Sequence, residues 1–176
     1  MQNQQKHQGL QGLLGGLLIL IGLLSGCSKP EVHPTDANPT VQQFFSDLKS
    51  GHETHLKTEI FEPLSWRRSA KLITQFRETH QAIAQGTLKL TPLKIKQKGR
   101  WAIAAVKAEK WIKDEQGQEK WTTEIQPYWF FYYDGRWQYI SPILAGTREV
   151  KAMMDLYREQ DELRRWFMKT YSPSTQ

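Results

Sequence analysis

Few residues in this chain have both the type and the spacing that chemistry asks for. His80 is the candidate general base. At 100° per residue it shares a helical arc with Leu72, Ile73, Phe76 and Ile83, near Trp66 and Ala84. A general base also needs an orienting partner and a tuned pKa, and no carboxylate is spaced to supply one. A hydrogen-bonded core or boundary histidine answers the same pattern. His52-Glu53-Thr54-His55 sets two imidazoles three positions apart, and on a helical turn both would reach one metal ion. Zinc takes a third protein ligand, and this is not the HExxH spacing that puts i and i+4 on one face. No metal and no cofactor is therefore expected. Ser25-Gly26 and Ser50-Gly51 lie in an apolar N-terminal segment and at a helix end, and neither makes a nucleophile elbow. Lys89, Lys94, Lys96, Lys98, Arg100, Lys107 and Lys110 fall in one predicted hairpin, with Glu109 against them. Such a hairpin would hold lipid phosphates, an acidic glycan or an acidic protein. Lysines on an exposed strand also block edge pairing, which needs no ligand at all. Nucleic acid is not expected, since no stacking motif accompanies the charge.

The N-terminus bears on location. Lys6 and the α-amine are the only positive charges before an apolar run over 13–24, and no acidic residue precedes Cys27. That run is shorter than the ~20 apolar residues a spanning helix needs, and its layout is that of a secretory signal peptide. Leu24-Ser25-Gly26-Cys27 follows at once and resembles the bacterial lipobox. The resemblance implies cleavage between Gly26 and Cys27, then diacylglycerol and palmitate-type acylation on Cys27. The mature lipoprotein would be held in the cell envelope, outside the cytoplasm. Ser28, directly after the cysteine, fits the outer-membrane, periplasm-facing form in a Gram-negative host. The alternative is an uncleaved helical anchor, which the five glycines from Gly9 to Gly22 weaken. Cys27 is the single cysteine, so no intrachain disulfide forms, and once acylated it is no nucleophile. The whole chain has 24 basic and 18 acidic side chains; losing residues 1–26 removes Lys6 alone and leaves a formal +5.

The elements that would position these residues read clearly from Asn38 onward. The 176 residues have room for one domain. Residues 27–38 carry Pro30 and Pro34 with little to bury, and form a tether. Asn38-Pro39 is a helix start, Val41, Phe44, Phe45 and Leu48 are its apolar stripe, and Gly51 is its stop. Residues 52–63 are a connection with at most a helical turn, and a second helix covers about 64–85. Four extended segments follow at about 87–97, 101–113, 120–133 and 136–143, joined by short turns as an antiparallel meander. Pro92, where the apolar phase changes, marks a bulge or an edge. Asp134-Gly135 suits a type I′ turn. One helix over about 148–169 closes the chain, so the domain spans 39–170 and a tail 171–176. The fold class is α+β.

The third extended segment alternates. Trp121, Thr123, Ile125, Trp129, Phe131 and Tyr133 make one row, and the opposite row ends in Tyr128, Phe130 and Tyr132. If the first row faces the helices, the second faces outward, and monomers seldom expose such a patch. Either the last helix covers it or a second subunit does. Tyr128, Phe130 and Tyr132 are thus candidate interface residues, and monomer and homodimer both stay open.

Two helices followed by an aromatic-rich meander, with GRWAIAAVKAEKW and WFFYYDGRWQYI as strands, resemble the nuclear transport factor two-like, or cystatin-like, cone. The likeness is closest to the small bacterial lipoproteins of that superfamily and covers residues 39–144. The charged helix after Leu144 departs from the usual ending on a strand. The resemblance implies a pocket inside the cone, for which His80, Trp101, Trp129 and Phe131 are the candidate lining residues. Some members are isomerases or dehydratases with an Asp or His base, and many are not enzymes. Two functions follow as expectations. One is a non-catalytic binding or scaffold module for an envelope protein or small apolar ligand. The other is an isomerase- or lyase-like pocket enzyme using His80.

Overall fold

A computed structural model describes residues 33–61, 66–142 and 147–171. Three helices come first: α1 (Asn38–Ser50), α2 (Glu53–Glu59) and α3 (Trp66–Ala84). The strands are β1 (Leu88–Lys98), β2 (Trp101–Lys113), β3 (Glu119–Tyr133) and β4 (Arg136–Ile140). Two further helices, α4 (Arg148–Leu156) and α5 (Glu159–Tyr171), follow. The strands pair antiparallel in the order β1-β2-β3-β4, a curved meander in an α+β fold. The expected signal segment, Gly26, Cys27 and most of the tether lie outside the described residues, as does the tail after Tyr171. Among the described residues, no helix is long and apolar enough to cross a membrane.

Local chemistry sets the joints. Asp134 and Gly135 both take positive φ, 50° and 76°, as the tight β3–β4 turn demands. The β1–β2 register shifts between Pro92 and Lys94, where proline cannot donate to the ladder. Gly51 ends α1 at φ 73°. At the other end of α1, Ala37 and not Asn38 holds the N-cap position, and Oδ1 of Asp36 accepts from the Asn38 amide at 3.0 Å.

The expected connection over 52–63 contains the helix α2, and Ile60 then bridges Tyr139 in parallel. The Phe61 amide donates to the Tyr139 carbonyl at 2.9 Å, which covers the free edge of β4. The expected single C-terminal helix is two. Thirteen residues at 100° put Leu163 about 220° round a straight helix from Val150, yet both are fully buried. The break at Tyr157 brings both to the sheet. The end of the expected tether is also fastened. The Ala37 amide donates to Oε1 of Gln97 in β1, and the Trp137 indole in β4 donates to the Thr35 carbonyl, each at 2.9 Å.

Directly opposite residues in an antiparallel sheet share a face, and this assigns the two aromatic rows. Phe130 lies between Ala102 and Tyr139, and Phe131 between Trp101 and Gln138. The ring of Phe44 in α1 is 4.6 Å from Tyr139 and 5.5 Å from Phe130, and that of Phe45 is 5.0 Å from Tyr128. The row Tyr128, Phe130, Tyr132 therefore faces the N-terminal helices, the reverse of the expected arrangement. Phe131 packs on Tyr157, between α4 and α5, at 5.5 Å. The C-terminal helices do cover an otherwise naked face, but it is the face of Trp101, Trp129 and Phe131. Small residues decide the matter. Ala102, Ala104 and Ala108 line the first face and let α1 and α3 come close enough to interdigitate with the aromatic row.

Candidate functional site

The space between the sheet and α1–α3 is where a cone enzyme would hold its substrate. Among the described residues, an aromatic cluster of the chain itself occupies it. Phe44 sits at its centre, with Phe45, Phe76, Tyr128, Phe130 and Tyr139 around it at 4.6 to 6.5 Å. Burial, and after it the charge on Glu124, pushes the Tyr128 phenol up to about 12. Burial, and then Tyr128, pushes Tyr139 up further. Both phenols therefore keep their protons at neutral pH.

The four expected pocket residues do not meet. Trp101, Trp129 and Phe131 form one aromatic group, with Trp101 4.7 Å from Phe131 and 6.2 Å from Trp129. This group lies on the α4–α5 face of the sheet. His80 belongs to α3 on the other face, at the contact with the end of α1. Its Nδ1 is 3.1 Å from the Lys49 carbonyl, an orphan acceptor of the last turn of α1. A Cβ placed on Gly51 would come within 2.8 Å of the His80 ring, so ring and glycine are in direct contact. The arc from Leu72 to Ile83 leads its apolar members into the core and His80, one turn beyond Phe76, to the rim. Tyr128, Phe130 and Tyr132, the candidate interface residues, are covered within the chain; Phe130 is fully buried.

The seven cations of the expected basic hairpin all have partners. Lys94 and Lys96 lie over the Trp166 ring of α5 at 5.9 and 5.2 Å, Arg100 over Tyr157 at 5.2 Å, and Lys89 over Trp121 at 4.6 Å. Lys98 pairs with Glu162, Lys107 with Glu109 at 3.1 Å, and Lys110 with Glu124. The contacts of Lys94, Lys96 and Lys98 fasten α5 to β1, which the sequence alone could not reveal because Glu162 and Trp166 are some 70 residues away. Among the described residues, the far end of the β2–β3 hairpin carries a group of exposed apolar side chains. Trp111 and Trp121 are 39% and 42% exposed, in edge contact at 5.4 Å, with Ile112 exposed beside them.

The two imidazoles of 52–55 do find a third ligating group. Asp47 of α1 is 1% exposed, with Oδ1 3.1 Å from Nδ1 of His52 and Oδ2 3.6 Å from Nδ1 of His55. The three ligand atoms lie within 4.8 Å of one another. Sequence reasoning missed Asp47 because it precedes the pair, in another helix. Its signal was an acid set three positions after Phe44, inside the apolar stripe of α1. Nearby Glu59 is pushed up to about 7, first by burial and then by the charge on Asp47.

No protein-family model matches the chain, and no curated protein does. Among solved structures, it is similar to a Campylobacter jejuni protein assigned as an NTF2-like transpeptidase. That alignment has a TM-score of 0.42 and 11% identity, over 61% of this chain and 99% of that one. It is also similar to a Shewanella frigidimarina protein assigned as a ketosteroid isomerase, at TM-score 0.42 and 19% identity, over 58% of this chain and 89% of that one.

Proposed function

We propose that this chain is a membrane-anchored bacterial envelope lipoprotein whose domain is a non-catalytic binding module for an envelope protein. The observation that carries the binding reading is the filled α1–α3 face. Phe44, Phe45, Phe76, Phe130 and Tyr139 occupy the volume in which a substrate would sit, and His80 is directed at the end of α1 instead. The anchoring rests on Leu24-Ser25-Gly26-Cys27 behind its apolar run. Among the described residues, the exposed surface favours a protein partner over a small apolar ligand. The groove between α1 and β1, about 350 Å3, is walled largely by Asp36, Asn38, Gln42, Lys94 and Gln97. The open hairpin end offers Trp111, Trp121 and Ile112, residue types that anchor protein interfaces.

A photoreactive residue placed at Trp121 in cells tests the reading, with exposed Glu78 of α3 as the control position. One discrete protein adduct from 121 and none from 78 is expected. No adduct from 121, with the protein at normal abundance, would defeat the binding role of this end. Loss of cellular function in His80→Gln at unchanged abundance and Tm would favour the pocket enzyme instead. For the anchor, Cys27→Ser should abolish lipid labelling and accumulate the precursor.

A further inference from the structure

We propose that Asp47, His52 and His55 form a binding site for a divalent transition metal ion of the zinc type. Three features carry this. The donor set, two imidazole nitrogens and one carboxylate oxygen, suits zinc and its neighbours over magnesium or calcium. The geometry is close to closed. Donors about 2.0–2.2 Å from a tetrahedral zinc ion are about 3.3–3.6 Å apart. Both imidazoles already approach Asp47 at 3.1 and 3.6 Å. The widest separation, 4.8 Å at most, closes by small rotations of His52 and His55, which are 61% and 67% exposed and free to turn.

The third feature is a deficit of positive charge. Asp47 is 1% exposed in the last turn of α1, at the negative end of the helix dipole, where a carboxylate is disfavoured. Its Oδ1 takes both the Gln43 amide at 2.9 Å and the His52 ring, while the buried Oδ2 accepts no hydrogen bond. Among the described residues, its ion-pair partners are the two histidines alone, and these are charged only when protonated. A buried Glu59 oxygen, also without a partner, lies on the same helix as His55, one turn on. A cation between Asp47 and the imidazoles supplies what the site lacks, and their exposed outer edges give it a path from solvent. Gly51 makes the site possible. Its left-handed backbone reverses the chain so that residues 52–55 return over the residue that precedes them by a turn. Bound metal would clamp the end of α1 to α2.

Equilibrium dialysis of the full-length chain in detergent, free of any histidine tag, against zinc chloride tests this. One equivalent of zinc should bind saturably, magnesium chloride should not compete, and zinc should raise Tm. His52→Ala and His55→Ala, both at exposed positions, should each weaken binding about tenfold or more and abolish the Tm shift. Asp47→Asn should do the same. If that variant fails to fold, the two histidine variants still decide the matter. His33→Ala and His80→Ala should bind as the parent does. No saturable zinc binding by the parent chain, or undiminished binding in the His52→Ala/His55→Ala double variant, would overturn the site.

Discussion

Gly51 and His80 act on each other across two helices, and their substitutions should not add. An alanine at Gly51 meets the left-handed backbone penalty, about 1–2 kcal/mol, and presses its Cβ against the His80 ring. Gly51→Ala in the His80→Ala background should show the backbone part alone. A urea-unfolding double-mutant cycle measures the difference; simple additivity would mean the ring yields without cost. Glu59 gives a second residue-level expectation, in chelator-treated protein. Burial and then Asp47 raise it from 4.5 to about 7, so between those values the folded chain holds a proton that the unfolded chain has released. Its contribution to stability therefore falls as pH rises through that window. Glu59→Gln should gain on the parent above pH 7 and match it below about 4.5. A stability difference independent of pH would contradict the assignment. At this scale the sequence was only partly legible. The histidine pair at 52 and 55 was visible, but Asp47 joins them through the turn at Gly51, and pairing across a turn leaves no periodic trace.

Among the elements, strands were more legible than faces. Alternation, Pro92 and Asp134-Gly135 located four strands and their joints closely. The inner face was harder, because β3 carries aromatics in both rows, so the pattern that usually sets orientation is degenerate there. The strand opposite held the answer, with alanines facing one row and Trp101 and Ile103 facing the other. The same geometry says what α4 and α5 are for. Truncation after Thr147 would uncover Trp101, Ile103 and Phe131, several hundred Å2 of apolar surface at ~25 cal/mol per Å2. That amounts to several kcal/mol against a total of about 5–15, and light scattering should show the shortened chain aggregating. Phe130→Glu buries a charge against Phe44 and should unfold the domain. A well-folded variant that merely loses a dimer would contradict the placement of this row.

For the whole molecule, the meander led to the fold class. Of the seven cations in one hairpin, Lys94, Lys96, Lys98 and Arg100 are met by Glu162, Trp166 and Tyr157 from the far end of the chain, contacts that no local pattern announces. One feature of the fold also bears on the order in which it is assembled. Helix α1 emerges first from synthesis, yet Phe44 and Phe45 find Tyr128, Phe130 and Tyr139 only some 80 to 95 residues later. The Trp137–Thr35 hydrogen bond spans 102 positions. The β2–β3 pairing, by contrast, closes a short local loop, and contacts near in sequence form fastest. The hairpin is then expected to form first, with α1 docking only once β4 is in place. In pulsed hydrogen exchange during refolding, β2 and β3 amides should gain protection before those of α1. Protection of α1 first would mean that the helix is stable without the sheet, and that folding proceeds from the N-terminus.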